Sequence, residues 1–186
     1  MATHLSLLCC VGTAMARTGG FPAPDEPLDG GGLAKARARR IGRTPALVLR
    51  SPAQAAAGTA EALGIGAIAE PRLADADFGA WAGRALAGLH GEDAVALGRW
   101  MRDPQAGVPG GESLDEVRGR VRPWLAEMAE RGEAVLAISH AMTIRAVLAE
   151  ALDLPGAAVM RFDVAPLSLA TLSFHRGWRL QQIRAD

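Results

Sequence analysis

The chain has 186 residues, 20 basic and 20 acidic side chains, and no net charge. With 49% apolar and 22% charged residues it reads as one soluble globular domain, residues 1–186. A balanced charge supplies no electrostatic attraction to nucleic acid or to an anionic membrane, so neither is expected as a partner.

The first apolar run, residues 5–10, predicts strand one and ends in Cys9 and Cys10. Residues 5–12 are too few to span a bilayer. No basic segment precedes them and no small-residue cleavage site follows, so no signal peptide is expected. Adjacent cysteines form a mutual disulfide only with strain. His4, His90, His140 and His175 show no metal-ligand spacing. Reduced thiols in a cytoplasmic protein are expected, with no metal and no cofactor.

A Gly/Pro-rich loop, TGGFPAPDEPLDGGG, leads into LAKARARRIGR, a predicted basic helix. The run from Lys35 to Arg43 reads as its solvated face, with a phosphate-binding patch as the sharper alternative. ALVLRS (46–51) predicts a short buried strand. AQAAAGTAEALG predicts a helix stopped by Gly64. AIAEPRL reads as extended, and residues 81–101 as loosely helical. Ser113 and Glu116 form a capping box before an apolar stripe of Leu114, Val117, Val121, Leu125 and Met128. Pro123, inside that helix, is expected to kink or interrupt it. AVLAISH (134–140) predicts a second fully apolar strand, and AMTIRAVLAEALDL the helix after it, closed by Pro155-Gly156. SLATLSFHRGWRLQQIR predicts a hairpin turning at Arg176-Gly177.

Apolar strands alternating with helices predict an α/β fold: a three-layer α/β/α arrangement around a mostly parallel sheet. Ligands in such sheets sit beyond the C-terminal strand ends. Cys9/Cys10, Arg50/Ser51 and Ser139/His140 all fall there.

Four segments, in order, resemble the histidine phosphatase superfamily, also called phosphoglycerate mutase-like. They are SPAQAAAGTAEALG, LADADFGAWAG, PGGESLDEVRGRV and AISHAMTIRAVL. The resemblance implies a pocket of two histidines and two arginines, in which one His becomes phosphorylated and a carboxyl group protonates the leaving group. Aligning the family's Arg-His-Gly-x-Thr opening on Thr13 puts Cys9 at the Arg and Cys10 at the nucleophilic His. Counting back from Thr59 puts Ala55 at the second Arg. The acid position falls on Asp75, and the second His is His140. On this alignment the chain is a divergent member without the nucleophile and without either pocket arginine.

The expected catalytic residues are therefore His140, Asp75 and Cys10. An imidazole at a strand end, as at His140, suits acid–base work. Asp75 reads as a general acid or as a loop cap. Cys10 reads as a nucleophile or as pocket lining. Cys9, Thr13, Arg17, Arg50, Ala55 and Trp81 are the expected substrate-binding residues. For Arg17 and Arg50 a surface position is the competing reading, and for Trp81 and Trp100 core packing. Three functions follow. The first is an enzyme acting by acid–base chemistry (isomerisation, cyclisation, dehydration or hydrolysis) on an uncharged or non-phosphorylated small molecule. The second is a catalytically inactive ligand- or partner-binding relative, and the third a residual phosphatase. The partner expected is a small-molecule substrate, with a homodimer left open. An Arg-rich, Ala- and Gly-rich composition, with Lys35 the single lysine, reads as a GC-rich bacterial genome and, with the altered pocket, as a biosynthetic setting.

Overall fold

The computed structural model describes residues 2–39, 42 and 45–185. Six strands form one sheet in the order β3-β2-β4-β1-β5-β6: β1 (Thr3–Cys9), β2 (Leu47–Arg50), β3 (Ile68–Ala69), β4 (Ala134–Ser139), β5 (Leu169–Phe174) and β6 (Trp178–Arg184). β1, β2, β3 and β4 are parallel, while β5 and β6 run antiparallel to them as the predicted hairpin. The mostly parallel α/β fold expected from the sequence is the fold observed.

Among the described residues there are seven α-helices: α1 (Ala14–Arg17), α2 (Gly30–Ala38), α3 (Gln54–Ala62), α4 (Glu92–Arg102), α5 (Leu114–Ala129), α6 (Ala141–Leu152) and α7 (Gly156–Val159). Strand residues alternate between two cores, as a pleated strand buried on both faces requires. Leu5, Leu7, Cys9, Val135 and Ala137 pack with α5 and α6. Leu8, Cys10, Val48, Leu136 and Ile138 pack with α3. Cys9 and Cys10 thus point to opposite faces of β1, and both thiols are free.

Three local expectations change. The basic helix begins earlier, at Gly30, because the Asp29 carboxylate accepts the Gly32 N–H at 2.7 Å and caps it. Residues 40, 41, 43 and 44, the far end of the expected basic run, lie outside the described residues. In 81–101 α-helix forms only from Glu92, after a single 3-10 turn at Leu86–Gly88, and Gly83 and Gly91, at φ 76° and 63°, break the chain before it. α5 runs through Pro123 without interruption. The carbonyl its ring disturbs is that of Gly119, and both residues are exposed, so water replaces the lost bond.

Candidate active site

β4 lies between β2 and β1. The hydrogen-bond ladder continues one residue past the strand ends. Ser51 N–H donates to Ile138 O at 2.8 Å, and Cys10 N–H to Ser139 O at 2.7 Å. This locks the three ends side by side, with His140 in the middle. Its ring bridges both neighbours: Nε2 is 2.9 Å from Ser51 Oγ, and Nδ1 is 3.4 Å from Cys10 Sγ. A loop following β3 brings the Asp75 carboxylate in, with Oδ2 3.4 Å from the same Nδ1. Asp75 also accepts the Ala76 N–H through Oδ1, so the loop-cap contact and the His140 contact coexist.

These contacts select a tautomer. A carboxylate is acceptor-only, and its charge 3.4 Å away favours a proton on the nitrogen that faces it. The proton therefore belongs on Nδ1, facing Asp75. Nε2 then accepts the Ser51 hydroxyl, whose oxygen accepts the Ala53 N–H. Ser51 is fully buried and does not line the cleft. It therefore orients the imidazole; it cannot meet a substrate as a nucleophile. This residue type at a strand end before Pro52 was the available signal for it.

The cleft, of about 990 Å³, opens over His140, Asp75, Cys9, Cys10, Thr13 and Ala55. A second hollow, of about 610 Å³, is lined by His4, Ser6, Glu133 and other residues away from this group. Phe21, Phe78 and Trp100 give the cleft an aromatic wall. Its charged lining is Asp25, Asp75, Asp77 and Glu112 against Arg120 and Arg145. Arg145 donates from Nε and Nη2 to the Phe162 carbonyl, and burial pushes its guanidinium below the usual value. Thr13 caps α1 by accepting the Ala16 N–H, and Ala55 begins the α3 side of the cleft with a methyl group alone.

Three expected binding residues stand elsewhere. Arg17 is largely exposed, 3.5 Å from Asp29. Arg50 turns back to donate to the Ser51 carbonyl at 2.9 Å. Trp81 is fully buried against Phe21 and donates its indole N–H to Asp93. Each has a partner nearer than the cleft, and none lines it. Trp100, Arg120, Arg145 and Glu112 line it instead, from positions whose orientation a single sequence does not reveal. His90 and His175 are exposed.

The thiols are held protonated. Burial, reinforced by the Asp75 charge, pushes Cys9 up to about 12, and burial with the Cys9 and Asp75 charges raises Cys10 well above the ordinary value of 9.0. Because the thiolate is the nucleophile, both should be inert. Ellman's reagent at pH 8 is expected to label neither in the native chain and both in urea; native labelling at the unfolded rate would overturn this. Linkage adds a sign. Folded values above the unfolded ones stabilise fully below about pH 9, and that stability declines as pH rises towards 12. The urea midpoint should fall in that window, and less so in Cys9→Ala.

The family model described as "Histidine phosphatase superfamily (branch 1)" matches residues 15–186. A bifunctional protein of Mycobacterium tuberculosis is 36% identical over 133 residues, covering 67% of this chain and 36% of that protein. The chain thus spans about a third of the length of that relative. Phosphoserine phosphatase 1 of Hydrogenobacter thermophilus is 32% identical over 91 residues, 47% of this chain and 43% of that one. The structure of a mycobacterial glucosyl-3-phosphoglycerate phosphatase superposes with a TM-score of 0.80 at 26% identity, covering 97% of this chain and 98% of that one. The family match extends over nearly all the residues after β1, and the chain belongs to the histidine phosphatase superfamily.

Proposed function

We propose that this cleft works by acid–base chemistry between His140 and Asp75, on an uncharged or non-phosphorylated small molecule. The observation that carries the reading is the set of groups around the His140 ring: a hydroxyl, a carboxylate and a protonated thiol. Among the described residues no guanidinium lies within hydrogen-bonding distance of it. With Cys9 and Cys10 at the Arg and His of the family's opening motif, and Ala55 at the second Arg, the chain is a divergent member. A phosphate dianion needs preorganised donors, and losing one donor to a developing oxyanion commonly slows reaction about 10²–10³-fold. Here four carboxylates face two guanidiniums around the cleft, and the Arg120 guanidinium is committed to Glu112 and to backbone carbonyls. Such a site repels a dianion and accepts a neutral molecule against Phe21 and Trp100.

In this mechanism Asp75 takes a proton from one position of the substrate while His140 Nδ1–H supplies one to another. That exchange serves isomerisation, cyclisation or dehydration; in hydrolysis Asp75 takes its proton from the attacking water and His140 Nδ1–H protonates the leaving group. Ser51 keeps the ring from turning. Positioned acids and bases contribute about 10²–10⁴-fold each.

The named activities of the relatives favour a second reading, a slow phosphatase. In it, water activated at the same pair attacks phosphorus directly, with Arg145 as the remaining cation. One experiment separates both readings from the family's usual route. The chain is incubated with para-nitrophenyl phosphate and with phosphoserine, then quenched in alkali and in acid. We expect no acid-labile phosphohistidine and turnover at least about 100-fold below that of a phosphatase holding its full donor set. Stoichiometric phosphohistidine, absent in His140→Ala, would refute the proposal. Phosphate release without a phosphoenzyme would select the second reading.

A further inference from the structure

The backbone from Arg72 to Asp75 crosses the sheet end as a loop, and side chains from other elements take each of its carbonyls. Arg120, on α5, donates to Arg72 O at 2.7 Å, Ala74 O at 2.9 Å and Asp75 O at 2.7 Å. Ser139 donates to Leu73 O at 2.8 Å, and Thr143 to Ala74 O at 2.6 Å. Arg120 is itself held by Glu112, through Nε at 2.8 Å and Nη2 at 3.0 Å. Glu112 also accepts the Asp77 N–H at 2.9 Å, while its own N–H donates to Asp77 O at 2.8 Å. Beside it, Gly111 lies so close that a Cβ there would meet Asp77 O at 2.2 Å. The segment around Glu112 therefore grips the loop on the far side of Asp75.

We propose that Arg120, oriented by Glu112, is a positioning residue that holds the Asp75 carboxylate against His140 Nδ1. This rests on the reading of His140 and Asp75 as the working pair. A planar guanidinium is suited to the task. Its donors diverge in a fixed fork, so one side chain spans three carbonyls along this segment. The Nδ1 to Oδ2 separation of 3.4 Å leaves little tolerance. A drift of about 1 Å puts the carboxylate beyond hydrogen-bonding range.

The imidazole tautomer reports that drift without needing a substrate. Two neutral groups contact the ring apart from Asp75: the Ser51 hydroxyl and the protonated Cys10 thiol. With the carboxylate in place the proton sits on Nδ1. Once the carboxylate leaves, the proton moves to Nε2, where Ser51 accepts it, and Cys10 S–H donates to the bare Nδ1. The nitrogen-15 shifts of the His140 ring, assigned against His140→Gln, are measured at mildly alkaline pH. Wild type is expected to show a protonated Nδ1, and Asp75→Ala a protonated Nε2. Arg120→Met is expected to convert most of the ring to the Asp75→Ala pattern, and Arg120→Lys a smaller share of it. The double variant Asp75→Ala/Arg120→Met should match Asp75→Ala alone.

A wild-type pattern in Arg120→Met, with the switch intact in Asp75→Ala, would overturn the positioning role. An unswitched ring in Asp75→Ala would instead overturn the working pair itself. Should Arg120→Met fail to fold, Arg120→Lys carries the test, and a fully wild-type ring in that variant counts against the proposal. A role confined to stability would lower the urea midpoint and leave the tautomer where it was.

Discussion

His140→Ala lowers kcat at least about 100-fold in any turnover assay to which the wild-type chain responds. His140 is the one imidazole in the cleft, and it stands where the ends of β1, β2 and the Asp75 loop converge. Ala removes the proton carrier and both of its anchors at once. Asp75→Asn ranks next. It keeps the shape and the Ala76 contact while removing the charge opposite Nδ1. Cys10→Ser is expected to cost little, because the thiol is protonated and Ser keeps most of its volume. The reverse ranking, with Cys10→Ser dead and His140→Ala nearly normal, would mean covalent thiol catalysis and would overturn these roles. Pre-steady-state and steady-state rates of the three variants, each checked for an unchanged far-UV spectrum, settle the order.

Trp124→Ala costs about 3–5 kcal/mol of folding stability. The indole is fully exposed to the core and not at all to water, packed from α5 in the same cluster as Leu5, Leu7, Val121 and Leu148. Such a loss is at least about a fifth of the roughly 5–15 kcal/mol that holds a domain together. Urea unfolding at unchanged m measures it. A loss below about 1 kcal/mol would show that the cluster collapses around the gap. Trp124→Phe is expected to cost much less. Its indole N–H finds no acceptor among the described residues, and removing a buried unpaired donor returns about 1–3 kcal/mol against the lost volume.

The α5 helix that Trp124 anchors also carries Arg120, so the stability prediction and the Arg120 proposal meet on one element. Its apolar stripe and its Ser113–Glu116 capping box are legible in the sequence because both are local: a 3.6-residue period and a three-residue spacing. The strands were legible for a similar reason. Runs such as AVLAI have no polar residue to place on a solvated face, so they must be covered on both sides, which implies a parallel sheet with helices above and below. The C-terminal strand ends, and with them Cys10, Ser51 and His140 as neighbours of a cleft, follow from that same pattern and the rule for open sheets.

What the chain order alone does not contain is direction. Arg17, Arg50 and Trp81 are the right residue types in the right segments, yet each turns to a nearer partner: Asp29, the Ser51 carbonyl and Asp93. Long side chains choose among several acceptors within reach, and only the folded neighbourhood decides which is closest. The contacts that define the site are all remote in sequence. Cys10 and His140 are separated by 130 positions, Ser51 and His140 by 89, Arg120 and the Asp75 carbonyl by 45. Local periodicity determined which segments are strands and helices and which of their ends carry chemistry. The β2-β4-β1 order, a tertiary result, decided that His140 would hold Ser51 on one nitrogen and share the other between Cys10 and Asp75. An imidazole has two nitrogens facing opposite ways, and only a strand with a neighbour on each side can present both of them to partners.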